Sequence, residues 1–139
     1  MIILDTNVLS VLMHAEPDPM IVEWLDGQPV ESVWTTSITV FEATLGIELL
    51  PLGRRRRDLQ NGFDRLMEEA LNGRVLSFDF QAAQAAGSIA AEQRRGGRTV
   101  EIRDAQIAGI ARARKATLVT RNTKHFEGIG LALVNPWSG

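Results

Sequence analysis

Asp5 directly follows the apolar run Met1-Ile2-Ile3-Leu4 and precedes Thr6 and Asn7, so a carboxylate stands where an apolar segment gives way to a turn. Such a run reads as a buried strand ended by turn formers. In open α/β sheets ligands bind beyond the carboxyl ends of the strands, which puts Asp5 at a functional rim. Asp is also a good helix N-cap, and that reading stands beside the functional one. Two further acids, Glu42 and Asp104, fall in the first turns of helices, and Asn122 comes just after a strand. All four map to one edge of a parallel sheet. Glu48 turns to a different face of its helix from Glu42. Glu23, Asp58, Asp64, Glu68, Glu69 and Glu92 read as solvent-facing charges.

Carboxylates gathered at one edge repel, and a cation or a shared proton must relieve them. The chain has no cysteine and only 2 histidines, far apart in sequence. An oxygen-donor site of this kind suits a hard divalent ion, Mg²⁺ or Mn²⁺. Such an ion activates water and neutralises phosphate oxygens, so the chemistry implied is metal-dependent phosphoryl cleavage. The lack of cysteine also excludes disulfide scaffolds, thiolate metal centres and cysteine nucleophiles.

The elements that must position these groups are legible from spacing. At 139 residues, 45% hydrophobic and 23% charged, the chain is expected to form one soluble domain spanning 1–139. No basic flank precedes the first apolar run and no stretch reaches the ~20 residues of a membrane span. A cytoplasmic location without membrane attachment is the default expectation. Helices are predicted over Val8–His14, Met20–Asp26, Val40–Leu50 (capped by Ser37 or Thr39), Arg55–Leu71, an Ala-rich segment capped by Asp79 and ending near Arg95, and Asp104–Lys115. Strands are predicted over Ser32–Ser37, Val75–Phe78, Thr117–Thr120 and Ala132–Asn135, besides the first. Strands joined by helical crossovers specify an α/β fold, a three-layer α/β/α sandwich with a mostly parallel central sheet.

The blocks Met1-Ile-Ile-Leu-Asp5-Thr-Asn7, Ser37-Ile-Thr-Val-Phe-Glu42, Arg103-Asp104-Ala-Gln-Ile-Ala108 and Leu118-Val-Thr-Arg-Asn-Thr-Lys-His-Phe126, with the terminal Val134-Asn-Pro-Trp137, follow one another in order. Together they resemble the PIN-domain proteins, and within them the VapC-type and FitB-like toxins of bacterial toxin–antitoxin modules. The resemblance spans essentially the whole chain. It implies a small ribonuclease that uses Mg²⁺ or Mn²⁺ held by acids, here Asp5, Glu42 and Asp104. It also implies inhibition by a cognate antitoxin, in a homodimer or a toxin–antitoxin hetero-oligomer. Many members carry an acid after the fourth strand where this chain has Asn122, which can accept a hydrogen bond but brings no charge.

Around these positions, the hydroxyls of Thr6 and Thr120 and the amide of Asn7 are candidates to orient the carboxylates, with strand-end propensity and capping as the alternative. Arg98, Arg103 and Arg121 are candidate RNA contacts. The run Arg54–Arg57 serves either to steer phosphates or as a solvated helix face, whereas Arg112, Arg114 and Lys115 suit a helix C-terminus. His125 is either a phosphate contact or, as the favoured reading, an incidental surface residue like His14, and Trp24, Trp34 and Phe41 read as core. The helices over Val8–Asp26 and the polar helix after Arg57 are candidates for dimer and antitoxin contacts, with core packing the alternative for Val8, Leu9, Leu12 and Met13. Two other functions fit a strand ending in Asp. One is a phosphatase of the haloacid-dehalogenase kind, although Asn7 stands where that class needs a second acid. The other is a non-catalytic PIN-fold binding module.

Overall fold

In the computed structural model, which describes residues 1–138, the apolar run forms β1 (Ile2–Leu4) and passes at once into α1 (Thr6–Met13). There follow α2 (Pro19–Asp26), β2 (Val33–Thr36), α3 (Ser37–Glu48), α4 (Arg54–Arg65), β3 (Val75–Leu76), α5 (Phe80–Arg95), α6 (Ile102–Arg114), β4 (Thr117–Val119) and β5 (Ala132–Val134). The strands pair in the order β3-β2-β1-β4-β5, and every pairing is parallel. The mostly parallel sheet expected from the sequence is therefore parallel throughout. No helix is long and apolar enough to cross a membrane among the described residues.

The period of two along the strands builds the layers. Ile3 and Leu118 face a core containing Leu76, Ile89, Ile107, Ile110 and Phe126, where α5 and α6 pack. Leu4 and Val119 face the opposite core with Val8, Leu9, Met13, Ile21 and Leu71, under α1, α2 and α4. Val8, Leu9 and Met13 are thus core residues, while Leu12 of the same cluster is half-buried. α6 lies against α5 closely enough that a Cβ on Gly109 would sit 2.5 Å from the Ala82 carbonyl oxygen and 2.7 Å from the Ala86 Cβ. That close approach fixes α6, and with it Asp104.

Several boundaries differ from expectation, each for a local reason. α3 is capped by Thr36, whose Oγ1 accepts from the Thr39 amide at 3.1 Å, rather than by Ser37 or Thr39. α6 starts at Ile102 because Glu101 caps it, accepting from the Asp104 amide at 2.9 Å. The predicted long helix through Leu71 changes register: Leu66–Ala70 widens into a π turn in which the Leu71 amide reaches the Leu66 carbonyl. Asp79 caps α5 as predicted, through Ala82.

Candidate active site

Asp5 follows β1 and Thr120 follows β4. The register pairs Leu4 with Val119, so the next residues meet side by side at the carboxyl edge of the sheet. Asp5 is only 4% exposed. Its Oδ1 accepts from the Thr6 amide at 2.8 Å, which makes it the N-cap of α1. Its Oδ2 accepts from the Thr120 hydroxyl at 2.8 Å and from the Asn7 amide at 3.1 Å. The capping and rim readings of Asp5 therefore coexist in one side chain. Burial pushes its pKa above the usual carboxylate value, and the hydrogen bonds from Thr120, Thr6 and Asn7 offset only part of that rise. Asn7 also donates to Thr120 at 3.2 Å and accepts from the Arg121 amide at 3.0 Å, locking the turn after β4 to the turn after β1.

Glu42 reaches the same edge from α3, where the Thr6 hydroxyl donates to its Oε1 at 2.8 Å. Thr6 has one proton, so the 3.1 Å contact between Thr6 and Thr39 is donated by Thr39. Thr36 in turn donates to Thr39 at 3.3 Å. A directed chain of hydroxyls, Thr36 to Thr39 to Thr6, thus ends on Glu42. Thr36 and Thr39 are fully buried, and the sequence offered no sign of this chain because threonine at a strand end is explained by propensity alone. The other Glu42 oxygen lies 3.5 Å from the Arg103 guanidinium.

Asp104 sits in the first turn of α6, half-buried, with the His125 Nδ1 3.1 Å from its Oδ2. Burial raises its pKa, the Asp5 and Glu101 charges raise it further, and His125 pulls it down. His125 is therefore tied to the site rather than incidental. It rides on the short turn Thr123–Phe126, anchored by the buried Phe126 ring. Only the tertiary contact between that turn and α6 brings it there, so no spacing rule could have found it.

The remaining candidates divide. Asn122 heads the same turn through its backbone, its amide donating to Thr120 at 3.1 Å, and its exposed side chain takes no part in capping. Arg98 donates to the Glu127 carbonyl at 3.1 Å, close to Asp104. Arg103 lies 5.9 Å from the Phe41 ring, and Arg121 lies 4.8 Å from the Trp137 ring. Phe41 is 58% exposed, not core, and heads a stripe of exposed apolar residues along α3 with Leu45 and Leu49. In the basic run, Arg54 pairs with Asp58, while Arg56 pairs with Glu48 and donates to the Leu50 carbonyl. Arg112 and Arg114 reach beyond their helix end, to Ile129 and Glu92 and to Asp79 respectively.

Asp5 and Asp104 form an electrostatically coupled pair, with Glu42 one hydroxyl away from the Asp5 turn. Among the described residues no group of three or more His, Asp or Glu is close enough together to hold a metal ion. The convergence of three acids is thus a pair plus a satellite, because Thr6 and Arg103 already occupy Glu42. The donor chemistry of the pair fits a hard divalent ion. A half-buried carboxylate whose ionisation is opposed by a neighbouring buried one is what a doubly charged cation relieves, with water completing its shell.

The PIN domain family model matches residues 2–130. The plasmid stability protein StbB of Pseudomonas syringae pv. tomato is 40% identical over 99% of both chains. The VapC ribonuclease Y4jK of Sinorhizobium fredii is 39% identical, covering 99% of this chain and 98% of its own. Toxin FitB of Neisseria gonorrhoeae is 34% identical over 99% of each chain, and the crystal structure of FitAcB from that organism superposes with a TM-score of 0.84 at 35% identity, covering 99% of both. With a whole-chain match in sequence and in fold, and with its acids on the carboxyl edge of an all-parallel sheet, this chain belongs to the PIN domain family.

Proposed function

We propose that this protein is a divalent-metal-dependent endoribonuclease, the toxin of a toxin–antitoxin module, hydrolysing RNA phosphodiester bonds. The observation that carries the reading is Asp5 and Asp104 together: a buried carboxylate and a half-buried one, brought by two distant elements to one sheet edge, the charge on Asp5 disfavouring ionisation of Asp104. Names among the relatives, VapC ribonuclease and toxin FitB, support the same reading.

In this reading Asp5 and Asp104 hold Mg²⁺ or Mn²⁺, which neutralises phosphate charge and acidifies water. Thr120 and Asn7 hold Asp5 in one rotamer, so the ion meets a preorganised ligand. His125 fixes the orientation of Asp104. Glu42, aimed by Thr6, accepts a proton or a water at the edge of the site once Arg103 turns to a substrate phosphate. Arg98, beside the cavity at Asp104, and Arg121, in the turn after β4, attract the RNA backbone. Asn122 offers an amide oxygen without charge, which suits a site holding one ion. Asn7 is committed to Asp5, Thr120 and the Arg121 amide, so the phosphatase alternative gains no support.

The partner implied is a cognate antitoxin, within a homodimer or a hetero-oligomer. The α3 stripe Phe41, Leu45 and Leu49, continued by Leu52 at 86% exposure, is the surface such an assembly would cover. The test is cleavage of single-stranded RNA with Mn²⁺, Mg²⁺ or chelator. Cleavage that needs the ion and disappears in Asp5→Asn and Asp104→Asn is expected. Unchanged cleavage in both variants overturns the assignment.

A further inference from the structure

Beside Asp104, away from Asp5, a cavity of about 380 Å³ opens between the C-terminal half of α5, the segment leading to Glu101, the start of α6 and the turn bearing His125. Its size lies in the roughly 300–1,000 Å³ range of pockets that enclose small molecules. The floor is apolar: Ile89, Ala105, Ala108, Phe126 and Ile129, all buried. Ala105 and Ala108 are the reason the space exists, since larger side chains on that face of α6 would fill it. Gln93 and Thr99 line the wall, and neither the amide nor the hydroxyl is spent on a protein partner among the described residues. Arg98 and Lys124 stand at the rim, with Arg98 pinned by its hydrogen bond to the Glu127 carbonyl.

We propose that this cavity receives a nucleobase of the RNA strand, that of the nucleotide next to the scissile phosphate at the Asp5–Asp104 edge. The inference rests on the ribonuclease reading and gives that site a subsite on its α5–α6 side. Charge argues against a phosphate inside, because Glu101, Asp104 and Glu127 line the same space as the two cations. A neutral heterocycle meets no such penalty, and its ribose-phosphate links fall at the rim beside Arg98 and Lys124. Chemistry argues against an aliphatic side chain from a protein partner, which would bury the Gln93 amide and the Thr99 hydroxyl without partners. The edge of a base supplies donors and acceptors to both, while its faces take the apolar floor.

Two readouts on wild type, Thr99→Trp and Gln93→Ala separate this inference from the reading beneath it. The first is binding of the four nucleoside monophosphates against ribose 5-phosphate, followed by NMR in the absence of divalent ion. The second is RNA cleavage with Mn²⁺. At least one nucleotide is expected to bind about tenfold more tightly than the base-free probe. That preference is expected to vanish in Thr99→Trp and to weaken in Gln93→Ala. The variants keep the wild-type melting temperature and kcat, while KM for RNA rises about tenfold. Equal binding of nucleotides and ribose 5-phosphate, or a base preference that survives in Thr99→Trp, overturns the subsite even if RNA is cut. A lost preference with an unchanged KM places the base binding outside the reaction and overturns the subsite as well. Base preference without any RNA cleavage by wild type supports the pocket and overturns the nuclease reading.

Discussion

The two carboxylates at the centre of the site are held in opposite ways. Asp5 is enclosed by β1 and β4; its oxygens meet the Thr6 and Asn7 amides at the start of α1 and the Thr120 hydroxyl that the strand register brings alongside. Asp104 stands at the start of a helix, partly open, steadied by a single histidine on a surface turn and bordered by a cavity. One is built into the sheet and closed off from solvent; the other is fixed through the packing of its helix and stays half-open.

Removing either acid is the largest blow, and the two removals should differ in what they do to the fold. Asp5→Ala and Asp104→Asn are each expected to lower RNA cleavage by roughly 10²–10³-fold, the scale of losing one preorganised transition-state group. Asp104→Asn should raise the melting temperature of the metal-free protein, since it removes the repulsion with Asp5 and Glu101. Asp5→Ala should not, because Thr120 and Asn7 lose their acceptor. Equal thermal shifts in the two variants would erase the contrast.

Next in size are the neighbours. Thr120→Val removes a fully buried hydroxyl that serves Asp5, Asn7 and Asn122, and should cost about 1–3 kcal/mol in urea unfolding. His125→Ala on the exposed side should stay within about 0.5 kcal/mol while still lowering cleavage.

The pH response tests both halves together. Folded Asp5 and Asp104 have pKa values raised above 3.8, so the fold favours their protonated forms. The stability this contributes is complete at acid pH and is lost as pH rises through the folded values. In chelator, thermal stability should therefore decline through the upper carboxylate range, and Mn²⁺ should flatten that decline by replacing protons. A metal-free curve that rises over this range would contradict the burial argument.

The smallest effect is expected at the satellite acid. Arg103→Ala removes a partly exposed ion pair and should change stability by less than about 1 kcal/mol. It also releases Glu42, so Mn²⁺ affinity by calorimetry should increase.

Legibility followed locality. The strand ending in Asp5, the Asp79 cap and the alternation of strands and helices all rest on neighbours within a few residues, and the sequence reading found them. The Glu101 cap was missed because Asp104, the acid behind it, fits a helix start equally well. His125 was misread because its partner lies 21 positions away, and Phe41 because an apolar residue on a helix has the same spacing whether it faces core or solvent. The hydroxyl chain from Thr36 to Glu42 joins α3 to α1 and has no local signature at all.

Taken alone, the sequence determined the fold class and the acids at the sheet edge, because hydrophobic periodicity and turn chemistry act over short stretches of chain. Tertiary structure alone decided that the Asp5 charge acts on Asp104 while Glu42 turns to Thr6 and Arg103, and that two alanines of α6 line a cavity beside Asp104. Those outcomes depend on strand register and on how closely α6 settles against α5, distances that no spacing along the chain encodes.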